Sequence, residues 1–306
     1  MSQFVVMPRL RPGILVLLAA LALGGCGLNQ GTPAAGSGGK VEVVAAENFW
    51  GSIAAQVGGD RVHVTSVIVN PDTDPHAYEA KPADARTIAR ARYVIVNGAG
   101  YDPWAPKLLD ANPVSGRQVL VIGDLLGKKE GDNPHFWYSP GYVGQVIDRI
   151  TADLEKLDPA GAADYGQRNS QYKTVGLKEY TSTINVIRQR YAGTPVGATE
   201  SIFVYLADAT GLNLITPPEY LKAVSEGTDP SAADKVTIQE QVAQRKIRVL
   251  VFNSQNTTPD VNAVVDAARA QKIPVTSVTE TLAPATATFQ DWQTGQLKAL
   301  LAALGG

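Results

Sequence analysis

From Lys40 onward, short apolar runs rich in β-branched residues alternate with helical patterns. The runs are Val41 to Ala45, Val62 to Val69, Tyr93 to Val96 and Val119 to Ile122, then, after a long gap, Pro195 to Ala198, Val249 to Phe252 and Pro274 to Val278. Near-continuous apolar strands separated by helices predict mainly parallel sheets covered on both faces, hence an α/β fold. In the gap, Val143, Val146, Ile150, Leu154 and Leu157 recur at three- and four-residue steps, which predicts an amphipathic helix over Ser139 to Leu157. Asp158-Pro159 fits an N-cap followed by proline at the first helical position. The helix it opens carries Tyr172, Val175, Tyr180, Ile184 and Ile187 on its apolar face and stops at Ala192-Gly193-Thr194-Pro195. No Gly/Ser linker divides the strand clusters, so the pattern reads as two βα lobes, residues 40–157 and 193–306, bridged by one long rigid helix over 158–192. Ligands of open α/β sheets bind beyond the carboxyl ends of the strands, which directs attention to the cleft between the lobes.

The N-terminus has a different pattern. Arg9 and Arg11 precede an apolar run from Ile14 to Leu23 and then Leu23-Gly24-Gly25-Cys26. A basic start, a short apolar run and a small-residue exit make residues 1–25 an export signal, and the run is shorter than the ~20 residues that span a bilayer. The tetrad ending in Cys26 resembles a bacterial lipobox, which implies lipidation of Cys26 and an extracytoplasmic, membrane-anchored protein. Residues 26–39, rich in Gly, Ser, Ala and Pro, read as a flexible tether. Cleavage before Cys26 would remove two arginines and no acid, taking the net charge from −2 to −4.

Composition narrows the chemistry. With 44% hydrophobic and 18% charged residues among 306, the chain can build packed cores. Near-balanced charge without a basic stripe excludes a dedicated nucleic-acid binder. One cysteine excludes a disulfide framework and a cysteine-rich metal module. That leaves three histidines. His76 (Asp74-Pro75-His76) and His135 (Asn133-Pro134-His135) both sit in turn-rich loops after a proline that stiffens the backbone, a context that suits a ligand site. His63 lies inside a strand and reads as a structural or surface residue. No His-Glu-x-x-His, nucleophile-elbow, P-loop or dinucleotide-binding motif is present, which argues against a hydrolase or nucleotide enzyme.

Glu47-Asn48-Phe49-Trp50-Gly51, Asp74-Pro75-His76 with Tyr78-Glu79 and Pro82-Ala83-Asp84, Asn133-Pro134-His135-Phe136-Trp137, and Glu200 followed by Phe203-Val204-Tyr205-Leu206 together resemble the cluster A-I, or ZnuA/TroA-like, metal-binding lipoproteins of manganese, zinc and iron ABC transporters. The resemblance implies two βα lobes on a rigid helix and four metal ligands: His76, His135, Glu200 and, where the family usually has an aspartate, Glu280. It also implies a permease and, through it, an ATPase as partners of a monomeric binding protein that is not an enzyme. Two neutral imidazoles and two carboxylates balance a divalent cation. Oxygen-rich ligation suits Mn2+, and the resemblance implies the same order, since the family's zinc binders more often carry a third histidine and a His-rich loop: Mn2+ is favoured, with Zn2+ next and Fe2+ also possible. A metal-stabilised adhesin or structural lipoprotein is the main alternative, a zinc hydrolase a lesser one. Phe49-Trp50 and Phe136-Trp137-Tyr138 flank the inferred cleft and read as packing. Asn253-Ser254-Gln255-Asn256 stands where it could hydrogen-bond a ligand carboxylate.

Overall fold

The apolar runs pair as parallel strands in two separate sheets. The computed structural model describes residues 39–306 apart from Asp72, Asp74, His76 and Ala77. The expected export signal, Cys26, most of the expected tether and His76 therefore lie outside the described residues.

In the first lobe, β1 (Val41–Glu47), β2 (Val62–Ile68), β3 (Tyr93–Val96) and β4 (Gln118–Val121) form a sheet of order β2-β1-β3-β4. Helices α1 (Asn48–Gly58), α2 (Pro82–Arg90), α3 (Trp104–Ala111), α4 (Ile122–Leu125) and α5 (Pro140–Leu157) accompany it. Gly51 lets α1 lie close on β2, since a Cβ there would collide with Ser66 Oγ. Ser139 caps α5 by accepting from the Tyr142 N–H, with Pro140 in the first turn.

The second lobe repeats this topology. Strands β5 (Pro195–Ala198), β6 (Asn213–Leu214), β7 (Leu250–Asn253) and β8 (Val275–Val278) take the order β6-β5-β7-β8, again all parallel. Strand β6 is only two residues long and gives no apolar run to read in the sequence.

The bridge is one helical run with an irregularity at its centre. After a 3-10 turn at Pro159–Gly161, α6 (Ala162–Gln171) leads through a π-helical turn, Tyr172–Gly176, into α7 (Lys178–Tyr191). The Leu177 N–H donates to the Tyr172 carbonyl at 2.8 Å, five residues back. That extra residue corrects the expected apolar face: the buried positions run Tyr165, Tyr172, Leu177, Tyr180, Ile184 and Ile187, and Val175 is 66% exposed. Asp158 precedes the run but makes no side-chain cap, because its carboxylate accepts from Arg61 Nε at 2.7 Å and from the Tyr165 hydroxyl at 2.9 Å.

The remaining helices α8 (Val204–Thr210), α9 (Pro218–Ser225), α10 (Ala232–Ala243), α11 (Pro259–Ala270) and α12 (Phe289–Leu304) belong to the second lobe. One apolar cluster runs from Phe49, Trp50 and Trp137 through Tyr180 to Phe289 and Trp292, so the lobes share a core. Phe49 stacks on Trp137 with ring centroids 4.1 Å apart. Both aromatic segments singled out in the sequence are fully buried. A shared core of this kind leaves little room for wide opening about a hinge. No helix among the described residues is long and apolar enough to cross a membrane.

Candidate metal centre

Strand order explains why two carboxylates meet. β7 lies between β5 and β8, and neighbouring strands are about 4.8 Å apart. Glu200 stands two residues beyond the end of β5 and Glu280 two residues beyond the end of β8, while Asn253 is the last residue of β7. The Asn253 carboxamide is thus flanked by both acids. Its nitrogen donates to Glu200 Oε2 at 2.7 Å and to Glu280 Oε1 at 2.8 Å. Its oxygen accepts the Gln255 N–H at 3.0 Å, which fixes the way the amide points.

The first lobe supplies the imidazole. His135 is fully buried, edge-on to Tyr101 and Trp137, and its Nε2 lies 3.4 Å from Glu280 Oε1. Asn133 Oδ1 is 2.6 Å from Nδ1, and acting as its acceptor it puts the proton there and leaves the Nε2 lone pair toward the acids. Asn133 is itself held across the cleft: Nδ2 donates to the Ser201 carbonyl at 2.8 Å, and its own carbonyl accepts from the Tyr205 hydroxyl at 2.9 Å. Asn97, just past β3, donates to the Pro134 carbonyl at 2.9 Å and accepts from Trp50 Nε1 at 3.0 Å. The backbone ahead of His135 is therefore pinned from two sides.

His135, Glu200 and Glu280 each present one potential ligand atom, all within 4.8 Å of one another. Glu200 is held further by Ser225 Oγ at 3.3 Å, and Glu280 Oε2 accepts from the Tyr101 hydroxyl at 2.8 Å. Burial, followed by the charge of Glu280, pushes the Glu200 carboxyl up to about 8, against the opposing effects of His135, Asn253 and Ser225. Two acids forced together out of water demand a cation or a proton. A cleft of about 990 Å³ opens between the lobes with Asn133, Ser201 and Ser225 on its wall. Of the sequence-selected residues, His135, Glu200 and Glu280 come together, while His76 and Cys26 lie outside the described residues. His63 is on the surface, 2.8 Å from Glu42.

With that geometry in view, the family model for the zinc-uptake complex component A, periplasmic, matches residues 43–303. The chain belongs to this family. It is 27% identical over 237 residues to the manganese-binding lipoprotein MntA of Halalkalibacterium halodurans, covering 74% of this chain and 76% of the relative. It is 24% identical over 270 residues to the manganese ABC transporter substrate-binding lipoprotein PsaA of Streptococcus pneumoniae, covering 81% and 82%. Among solved structures, a Mn-bound mutant periplasmic metal-binding protein of Candidatus Liberibacter asiaticus aligns with a TM-score of 0.73 at 21% identity, over 87% of this chain and 100% of that one. The periplasmic zinc-binding protein TroA of Treponema pallidum aligns at 0.70 and 21%, over 87% and 99%. These structures share the two-lobed parallel fold. The family's members here share it across most of the chain.

Sequence reasoning missed the residues that hold the candidate ligands. Asn97, Asn133, Tyr101 and Ser225 are loop or helix-end residues with no periodic signal. Asn133 has one local cue, its place two residues before His135 in a Pro-His step. Asn253 and Gln255 have only their position at a strand end as a sequence signal.

Proposed function

We propose that the protein captures a divalent transition metal between its lobes and hands it to an ABC-transporter permease, without covalent chemistry. The observation that carries this reading is the buried convergence of His135, Glu200 and Glu280 from both lobes. With His76 as the fourth ligand, the set has two neutral imidazoles and two carboxylates, which neutralise a dication in a site of low dielectric. Four protein ligands, with carboxylates able to bind through one or both oxygens, close the sphere that a hydrolytic metal would keep open to water. Mn2+ is the favoured cargo, supported by the oxygen-rich ligands and by relatives named for manganese. Cys26 would be the lipid-bearing residue that keeps the body at the membrane surface. The shared core and the helical bridge make release a matter of a small tilt rather than wide opening.

Elemental analysis of the protein purified from its own host under metal limitation tests cargo and site together. Stoichiometric manganese in the wild type and none in His135→Ala is the expected result. A His135→Ala protein that retains its full metal content would overturn the ligand assignment.

A further inference from the structure

We propose that Gln255 is a positioning residue of this site, setting the backbone of Glu280 and anchoring it to Pro71 of the first lobe. The proposal rests on the reading of Glu280 as a metal ligand.

The side chain of Gln255 is saturated. Its oxygen accepts the main-chain N–H of Glu280 and that of Thr281, the latter at 3.1 Å. Its nitrogen donates to Thr281 Oγ1 at 2.9 Å and to the Pro71 carbonyl. A carboxamide has two acceptor positions and two N–H groups, and all four are used. The partners also decide its orientation, since two N–H donors face one end and two oxygen acceptors face the other. No other side chain of this length can do the same: glutamate lacks the donors, methionine lacks both, and asparagine is one methylene short.

The three segments joined here matter individually. Gln255 itself belongs to the turn after β7, and its own N–H orients the Asn253 amide that bridges the two acids. Glu280 and Thr281 form the turn after β8. Pro71 follows β2 in the other lobe, five residues before His76 in the chain. The Glu280 carboxylate is already held at its tip by Tyr101 and Asn253. With Gln255 gripping the backbone at the base, both ends of a side chain with three rotatable bonds are fixed. A ligand held at both ends meets the metal with less ordering left to do, which lowers the dissociation rate more than it raises the association rate.

The test is a double-mutant cycle on full-length protein, with Mn2+ and Zn2+ as probes and chelator competition giving affinity and dissociation rate. Gln255→Met is expected to weaken Mn2+ binding by about 10- to 100-fold, the range for losing an outer hydrogen-bond partner of a metal ligand, mostly through faster dissociation. In a Glu280→Gln background the same substitution is expected to change affinity by less than about twofold, because the group it acts through is gone. Gln255→Asn keeps the polarity and serves the same cycle if the methionine variant does not fold. A Gln255 variant that binds Mn2+ like the wild type overturns the proposal and leaves the metal-site reading standing. An equal loss in the Glu280→Gln background also overturns it, since Gln255 would then act on the fold at large. A wild type that binds neither ion overturns the metal-site reading on which the proposal rests.

Discussion

Replacing Asn253 with leucine removes the donor between the two acids while keeping the side chain's branching and number of heavy atoms. Asn253 Nδ2 makes two bonds, at 2.7 Å to Glu200 and 2.8 Å to Glu280. With its carboxyl raised to about 8, Glu200 is mostly protonated at pH 7 in the absence of metal, so the bond to it joins neutral partners and contributes about 1 kcal/mol. Glu280 bears the negative charge that helps to raise Glu200, and a bond to a charged acceptor contributes about 2 kcal/mol. The metal-free leucine variant should therefore lose about 3 kcal/mol, which for a domain of this size lowers Tm by roughly 6–12 °C. Calorimetric melting with and without saturating Mn2+ is the assay. The metal-induced rise in Tm should also shrink, because the acids are no longer aligned. Asn253→Asp should shift the balance the other way. A third acid lowers the metal-free Tm further, and saturating metal restores most of it, so its metal-induced rise should exceed that of the wild type. A leucine variant that melts within about 2 °C of the wild type and keeps the same metal-induced rise would refute the reasoning.

Three further outcomes are expected. Glu47 is buried beside Asp102, and burial followed by the Asp102 charge raises its carboxyl well above 4.5. The folded state thus keeps a proton that the unfolded chain releases, so this contribution to stability is complete below about pH 4.5 and is lost as pH rises toward the folded value. Glu47→Gln, which keeps a donor toward Asp102, should raise Tm at pH 8 and match the wild type near pH 4, and a gap that is constant across pH would contradict this. Metal affinity should fall with each unit of acidification below pH 8, where protons compete for Glu200, and calorimetric titration of Mn2+ at pH 8, 7 and 6 measures it. In the bridge, Val175→Lys should change stability by less than about 0.5 kcal/mol, because that side chain is exposed, whereas Ile184→Lys, at a 5% exposed position, should cost several times more. Equal effects on melting would mean that the π turn does not set the phase of the helix.

The parts of the fold that could be read from sequence were those carried by local repetition. Of the eight strands among the described residues, seven announce themselves as apolar runs, and the eighth, Asn213–Leu214, is too short to form one. The bridge was legible as a helix, but its π turn was not. The step of five from Tyr172 to Leu177 breaks the usual spacing, and Val175 stood ready to fill the expected step of three. Asp158 has every local mark of a cap, yet Arg61, 97 residues away, takes its carboxylate. In the site, loop histidines and acids after strand ends could be picked out, and a family resemblance gave them order. The groups that aim them could not, since Asn133 to Ser201 and Tyr101 to Glu280 are contacts across 68 and 179 residues that only the fold creates.

The equivalent topology of the two lobes gives these contacts a common origin. In each sheet the strand third in order has an asparagine at its end or just beyond it, Asn97 after β3 and Asn253 in β7, and two acids gather near it. In the first lobe Glu47, the last residue of β1, meets Asp102, whose carboxylate accepts the N–H groups of Asn97 and Gly98 at 2.7 and 2.8 Å. There burial raises both carboxyls and the Asp102 charge raises Glu47 further, while the Asn97 and Gly98 backbone donors oppose the rise at Asp102. In the second lobe Asn253 reaches both acids from one side through its amide, and His135 Nε2 faces Glu280 from the other lobe. An amide aligns two carboxylates without neutralising them. The first pair lies within one lobe, whereas the second faces a histidine brought in from the other lobe. On the reading proposed above, one frame serves as a packed core in one lobe and as a metal site in the other, completed by a side chain from across the cleft.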